Sequence, residues 1–256
     1  MKFGSRSSRS SFAYIAAALV AGLPRITYYA GMGGVFRTIK VHWNRSDSVL
    51  TTATTLSFVA FVANAWFESA ELCYVASIVP LGILLYRAFA STDSSLWRSL
   101  VFGALVGIAW PFGEALVTLT VGWWGDYDAP GFTVLYTPLY CILIGWLAST
   151  YLYYLGERAL AMGFSAKAAA ANTALAALVI GAIGENLFVA ARMWHYDPSI
   201  LDIGSVPLFV PVAYGIGYGV LPLVNQRPMA VQFVVWVTVT LVASVGLGLV
   251  TGFFPR

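Results

Sequence analysis

The sequence predicts an all-α membrane protein, a polytopic bundle of transmembrane helices. Of its 256 residues, 59% are apolar and only 10% are charged, whereas a soluble domain carries about 25% charged residues. Apolar runs of about 20 residues, the length that spans a bilayer, recur along the whole chain. We therefore expect residues 1–256 to form a single transmembrane domain without a soluble module.

Seven segments are predicted to be firm spans, and an eighth is possible. The seven are 50–67, 72–90, 98–121, 133–155, 168–191, 205–224 and 229–253. Residues 11–36 are interrupted by Pro24-Arg25, so they are expected to form either a kinked span or a re-entrant segment. The first 25 residues resemble a signal peptide but lack a persuasive cleavage site, and we expect them to be retained.

Charged residues alternate by loop and orient the bundle. The basic loops contain Arg37, Lys40, Arg45, Arg87, Arg98, Arg158, Lys167 and Arg227, and the acidic loops contain Glu68, Glu71, Asp126, Asp128, Asp197 and Asp202. Because basic loops stay cytoplasmic, the acidic loops are expected on the outer face, in a plasma membrane of the bacterial type. The net charge of +3 gives no basic patch for nucleic acid. The expected partners are lipid and an apolar ligand, and the oligomeric state is left open.

An internal repeat is the most informative feature of the sequence. One copy begins GEALVTLTVGWWGDYD at Gly113, and the other begins GENLFVAARMWHYDPS at Gly184. In both copies the glutamate precedes a tryptophan by nine residues, and Tyr-Asp and Pro-Leu follow in the same order. Each unit, about 98–155 and 168–224, is predicted to be a helix, an aromatic-acidic loop and a return helix. Both enter the membrane in the same direction, which predicts parallel repeats about an axis along the membrane normal.

The repeat places two acids, Glu114 and Glu185, at equivalent positions inside the membrane. Glu114 follows Arg98 by 16 residues and Glu185 follows Lys167 by 18, or roughly 24 and 27 Å of helix. At this depth, in the outer half of the bilayer, a carboxyl is expected to face the bundle interior. Each acid either satisfies a structural partner, for which Arg192 is a candidate, or carries chemistry.

Three further acids are candidate catalytic residues. Glu68 is predicted to share a helix face with Asn64 and Glu71, at i, i+4 and i+7, although interfacial charge explains it as well. Asp128 and Asp197 follow a tyrosine in both copies of the repeat. Solvation and turn capping explain most loop aspartates, so only this repetition distinguishes the pair.

Aromatic side chains are concentrated near the same end of the bundle. An interfacial belt explains many of them, yet Trp110 lies one helical turn from Glu114 on the face that also holds Thr118. A dry carboxyl keeps its proton and aromatic faces stabilise cations, so this combination suits proton-initiated carbocation chemistry. The candidate substrate-binding residues are Trp66, Trp110, Trp123, Trp194, Tyr127 and Tyr196.

Several other chemistries lack the residues they need. The lysines are Lys2, Lys40 and Lys167, and none is central in a firm span, which argues against a retinal Schiff base. Two histidines are too few for haem pairs or histidine-rich di-iron sites, and no DDxxD pair is present for magnesium and diphosphate. Cys73 and Cys141 lie in apolar runs and are expected to be small buried hydrophobes. We therefore expect neither a metal nor a cofactor.

The stretch WHYDPSILDIGSVPLFVPVAYGIGYG, from Trp194, is similar to repeats of the integral-membrane lycopene cyclases of the heterodimeric type. The order Glu…Trp-x-Tyr…Val-Pro-Leu also resembles haloarchaeal carotenoid hydratases. The chain's size and acidic helix ends resemble the membrane cyclases of meroterpenoids and indole terpenoids in fungi and bacteria. These resemblances cover about residues 98–225 and imply a metal-independent cyclase or hydratase of an isoprenoid.

The chain departs from the lycopene cyclase pattern at one point. Those enzymes follow Pro-Leu with paired glutamates, whereas Phe209-Val210 follow Pro207-Leu208 here. The resemblance then requires Glu114 and Glu185 to replace those acids, and it argues against lycopene as the substrate.

A transporter or channel is the alternative function, in which the intramembrane acids bind protons or cations. Parallel repeats and Gly/Pro-interrupted segments such as 205–224 fit transport as well. The shape of the cavity discriminates between the two. A closed apolar chamber that opens sideways to lipid favours the enzyme, and a path to both aqueous faces favours transport.

Overall fold

The computed structural model describes residues 27–30, 37–40, 44–121, 125–128, 131–196 and 199–251. The helices of these ranges are α1 (Arg45–Phe67), α2 (Ala70–Ala90), α3 (Ser94–Val121), α4 (Leu139–Ala161), α5 (Ala166–Ala190), α6 (Phe209–Gly219) and α7 (Met229–Val250). All of them except α6 are long and apolar enough to cross a membrane. The protein is thus a mostly helical, multi-pass membrane protein, as its composition predicts.

Short strands precede the first described helix and follow two of the later ones. They are β1 (Thr27–Ala30), β2 (Arg37–Lys40), β3 (Gly125–Tyr127), β4 (Thr133–Val134), β5 (Thr137–Pro138), β6 (Trp194–Tyr196), β7 (Asp202–Ile203) and β8 (Val206–Pro207). They form four antiparallel pairs, β1–β2, β3–β6, β4–β5 and β7–β8. We call the end that carries β3–β8 the strand end. The opposite end, with the turns 91–93, 162–165 and 224–228, is the basic end.

The strands correct three predicted spans. Residues 27–30 are a strand, so a helical span over 11–36 cannot reach its predicted end; residues 11–26 lie outside the described residues. The span predicted at 133–155 begins only at Leu139, because 133–138 form a hairpin with Leu135 in the left-handed turn region, at φ 56°. The span predicted at 205–224 contains strand β8, the 11-residue α6 and a 3₁₀ turn at Leu221–Leu223. The count of seven spans therefore stays a prediction.

Local caps determine where the helices begin and end. Asn44 and Asp47 form a reciprocal capping box at the start of α1, with two hydrogen bonds of 2.8 Å. Glu68 adopts φ 50° and ends α1, and Ser69 caps α2. The single helix face predicted for Asn64, Glu68 and Glu71 is therefore wrong, because Glu71 belongs to α2.

The helices close into a ring in the order α1, α2, α4, α3, α7, α6, α5 and back to α1, and α4 and α5 also touch each other. Glycine allows the closest approaches. A Cβ at Gly103 of α3 would lie 2.5 Å from the Trp146 carbonyl oxygen on α4, and one at Gly219 of α6 would lie 2.8 Å from the Ala174 Cβ on α5. Close backbone packing at small residues is the usual way in which membrane helices associate.

Hydrogen bonds and ion pairs between polar side chains connect the helices at the basic end. Arg158 of α4 binds Asp47 of α1 through two nitrogens, each at 2.7 Å, and Tyr154 adds a hydrogen bond of 3.0 Å to the same carboxylate. Tyr153 donates to Gln232 of α7 at 2.8 Å, and Arg98 of α3 pairs with Glu157 at 3.2 Å. These bonds join four helices at this end of the bundle.

Candidate functional site

A cavity of about 900 Å³ lies inside the ring towards the strand end, within the size range of small-molecule sites, about 300–1,000 Å³. Every helix except α2 contributes to its wall, and Tyr127, Trp194 and Tyr196 from strands β3 and β6 border it. Its surface is predominantly apolar. Among the described residues that line it, the acidic ones are Glu114 and Glu185, and none is lysine or arginine.

Glu114 lies near the end of α3, only 6% exposed. Its Oε1 accepts hydrogen bonds from Trp110 Nε1 at 2.7 Å and from the Tyr127 hydroxyl at 2.5 Å. The Thr137 hydroxyl, from β5, donates to Oε2. The carboxyl thus has three donors, one from its own helix and two from the strands that follow.

Glu185 occupies the matching place on α5, 8% exposed. Its Oε2 accepts from Trp194 Nε1 at 3.1 Å and from the Tyr196 hydroxyl at 2.7 Å, and its Oε1 accepts from the Tyr214 hydroxyl of α6 at 2.8 Å. Three neutral donors again surround a buried carboxyl. None of the ion pairs among the described residues includes Glu114 or Glu185.

Strands β3 and β6 form a lid that connects the two acids. Helix α3 leads towards β3 and α5 leads towards β6, and the strands pair with Tyr127 opposite Trp194. The lid therefore supplies donors to both carboxyls. Burial raises the pKa of the Tyr127 and Tyr196 phenols well above the ordinary value, so both remain protonated and able to donate. His195, which also lines the cavity, is half exposed, and its Nδ1 lies 3.0 Å from Asp128 Oδ2.

In each unit an aromatic ring on one helix packs on a glycine of the other helix, and the helix that carries the ring differs between the units. Trp110, four residues before Glu114, packs on Gly145 of α4, 3.4 Å from the position of a glycine Cβ. Four residues before Glu185 the chain has Gly181 instead, and Tyr214 of α6 fills its place, with a ring atom 2.7 Å from the Cβ position. The donor Trp110 therefore lies on the same helix as its glutamate in the first unit, whereas the donor Tyr214 lies on the return helix in the second.

The structure does not bring every predicted site residue to the cavity. Glu68 is exposed at the end of α1 and pairs with Arg192 at 3.3 Å, which shows that the predicted alternative partner of Glu114 and Glu185 binds another acid. Trp66 is 83% exposed on the outside of α1 and does not line the cavity. Asp128 lies at the outer surface of the lid. Asp197 and Trp123 fall outside the described residues.

The sequence interpretation missed two site residues, Thr137 and Tyr214. Thr137 immediately precedes the proline of the repeat, and Tyr214 lies four residues from Tyr218 on one face of α6. The hydroxyl side chains at these positions could have identified both residues as partners of the glutamates, because a carboxyl buried in a membrane needs hydrogen-bond donors. Cys73 and Cys141 are buried free thiols, as predicted.

Within the described ranges, no cluster of three or more His, Cys, Asp or Glu side chains has the arrangement of a metal site. Comparisons with family models, curated proteins and solved structures gave no match to this chain.

Proposed function

We propose that the protein is a membrane-embedded enzyme that protonates a neutral isoprenoid alkene or epoxide and thereby cyclises or hydrates it, without a metal or cofactor. The observation that carries this proposal is the pair Glu114 and Glu185, two buried carboxyls on one apolar cavity inside the membrane. Carboxyl groups are costly at this position, and neither glutamate forms an ion pair that would explain it as structural.

The lining of the cavity supports a neutral substrate. A phosphate or carboxylate in an apolar chamber needs a positive partner. The described lining residues include no lysine or arginine, and their histidine, His195, already pairs with Asp128. A hydrocarbon chain, in contrast, gains free energy from every apolar contact. Isoprenoids combine such a chain with alkenes that a carboxylic acid can protonate.

Two carboxyls on one dry cavity also support an acid and a base. Two like charges in a low-dielectric site cannot both be ionised at little cost, so we expect one of the two carboxyls to hold a proton while the other does not. The protonated member donates to the substrate, and the carboxylate removes a proton from the final cation or activates water. The rings of Trp110 and Trp194, which border the cavity, stabilise the cation between these steps.

The openings of the cavity support an enzyme rather than a transporter. Phe112 and Leu116 of α3 line the cavity and are 63% and 51% exposed, so we infer that a lipid-soluble substrate enters the chamber sideways, past this helix. The lid covers the strand end. Towards the basic end, Tyr153 and Gln232 form a buried hydrogen bond below the chamber. Transport needs a path through both barriers.

The contacts also support the parallel repeat. Both glutamates receive a tyrosine from the lid, a further hydroxyl from the segment that follows, and an indole donor. We infer that α6 and its 3₁₀ turn together form a shortened seventh crossing. We propose on the same grounds that the chain is related to the carotenoid and terpenoid cyclases that it resembles. We also propose that it lies in a plasma membrane of the bacterial type.

Product analysis tests the function directly. Cells that produce the protein are supplied with linear neutral isoprenoids, both polyene hydrocarbons and terminal epoxides, and their lipids are compared by mass spectrometry with those of cells without it. A new product with the mass of the precursor indicates cyclisation, and one heavier by water indicates hydration. Unchanged precursors across the whole series, together with proton-coupled uptake of a solute by vesicles containing the protein, would support the transporter instead.

A further inference from the structure

Gly113 and Gly184, which immediately precede the two glutamates, have the same environment. Both lie within long helices and line the cavity. A Cβ built at either position would meet no atom within 4 Å. The protein therefore leaves empty space beside each carboxyl, at equivalent positions of the two repeat units.

Ordinary reasons for a helical glycine do not apply at these two positions. Glycine is a poorer helix former than alanine, and in membrane helices it usually allows a neighbouring helix to approach closely. Gly103 and Gly219 have that role, because a Cβ there would collide with the next helix. Neither Gly113 nor Gly184 adopts a left-handed backbone. Gly113 and Gly184 differ from the equally open Gly82 and Gly246 because they line the cavity, whose volume would shrink if either residue had a side chain.

We propose that Gly113 and Gly184 are the specificity-determining positions of the cavity, where the ligand passes directly over the helix backbone beside each acid. Helices α3 and α5 are not neighbours in the ring; α4, α2 and α1 lie between them on one side, and α7 and α6 on the other. A ligand in contact with both glycines therefore extends across the chamber. This inference rests on the proposed function for the class of ligand, a long neutral isoprenoid rather than a short one.

The chain offers matched controls for this inference. Gly82 of α2 and Gly246 of α7 are also helical glycines with no atom within 4 Å of a Cβ, but they do not line the cavity. Leucine at all four positions changes helix propensity and hydrophobicity equally. Only Gly113→Leu and Gly184→Leu fill the chamber.

Binding is measured with purified protein in lipid nanodiscs, with radiolabelled squalene, a linear C30 hydrocarbon, and farnesol, a C15 alcohol, as probes. We expect Gly113→Leu and Gly184→Leu to weaken squalene binding by about tenfold or more, the usual consequence of overfilling a packed site, and to affect farnesol less. Gly82→Leu and Gly246→Leu should bind both probes as the unchanged protein does. If the leucine variants fail to fold, Gly113→Ala and Gly184→Ala give the same comparison with a smaller effect.

Equal squalene binding by all four variants would overturn the inference, and so would an equal loss in the control variants. Failure of the unchanged protein to bind squalene would overturn it together with the proposed class of ligand. Selective loss of binding in the two cavity variants supports the inference even if Glu114→Gln and Glu185→Gln prove fully active, a result that would contradict only the proposed chemistry.

Discussion

At the scale of single residues, the account depends on how a carboxyl tolerates the interior of a membrane. Glu114 and Glu185 each accept hydrogen bonds from three neutral donors, whereas Asp47 at the basic end is held by the guanidinium of Arg158. Asp47 therefore has a cationic partner within hydrogen-bond distance. Neutral donors satisfy the oxygens of Glu114 and Glu185 without a fixed positive charge. The two environments therefore separate a structural acid from acids suited to proton transfer.

The buried phenols of the lid predict how stability depends on pH. The pKa of Tyr127 and Tyr196 is raised by burial in the folded protein, while in the unfolded chain it is about 10. Below pH 10 both states hold these protons and the phenols add no pH dependence. Above it only the unfolded state loses them, so the free energy of unfolding falls by up to about 1.4 kcal/mol per pH unit for each phenol.

We expect the double variant Tyr127→Phe/Tyr196→Phe to show a shallower fall than the unchanged protein in SDS unfolding between pH 9 and 11. Its free energy of unfolding at pH 8 should be lower, because two carboxyl hydrogen bonds are lost. An identical slope above pH 10 would show that these phenols ionise equally in both states.

The positions of cavity residues were predictable where a short sequence pattern contains them. Glu114, Glu185 and Trp110 line the cavity, as helical spacing and the repeat predict. Glu68 and Trp66 do not line it, because α1 ends at Phe67 in a left-handed turn at Glu68 that no glycine or proline predicts. Thr137 and Tyr214 were missed because their role depends on contacts between segments that are 23 and 29 residues apart along the chain.

At the scale of elements, hydropathy located the helices and missed the strands. The segment GFTVLYTP, from Gly131, continues the apolar run of the helix that follows without a charged residue, and hydropathy alone does not distinguish a short buried strand from the start of a helix. The same holds for SILDIGSVP from Ser199. Both segments form hairpins at the strand end, and they shorten the return helices of the two units.

The pairing of β3 with β6 requires α3 and α5 to run in the same direction, and a crosslink between the two strands tests it. Asp126 lies opposite His195 in this pair, and directly opposed residues of antiparallel strands have Cβ atoms about 4.5–5.5 Å apart. We expect Asp126→Cys/His195→Cys to form a disulfide spontaneously, seen as a mobility shift on a non-reducing gel. The pair Asp126→Cys/Ser199→Cys is the control and should not form one. Efficient crosslinking of the control alone would contradict the parallel arrangement.

At the scale of the whole molecule, the ring of helices separates a polar, tightly packed basic end from a hollow strand end. The order of the ring was not predictable from the sequence, because all the long helices are apolar on every side and give no facing preference. The number of crossings depends on α6, which is too short to span alone. If α6 and the 3₁₀ turn cross together, residues 205 and 226 lie on opposite sides of the membrane.

Labelling of single cysteines in sealed vesicles checks this topology. We expect a membrane-impermeant maleimide to label Gln226→Cys and Lys167→Cys from the same side and Ser205→Cys from the other. The native cysteines are buried and should stay unlabelled. Labelling of Gln226→Cys and Ser205→Cys from one side would reduce the bundle to six crossings and place α7 in the opposite direction.

The most direct test of the central claim is the activity of Glu114→Gln and Glu185→Gln on the isoprenoid that gives a product. Glutamine keeps the shape and most hydrogen bonds of glutamate but cannot deliver or accept a proton. General acid-base groups contribute about 10²–10⁴-fold, so each variant should lose at least a hundredfold in rate while it inserts and purifies normally. Glu68→Gln, at an exposed acid outside the cavity, should retain full activity. Normal turnover by both cavity variants would contradict the account.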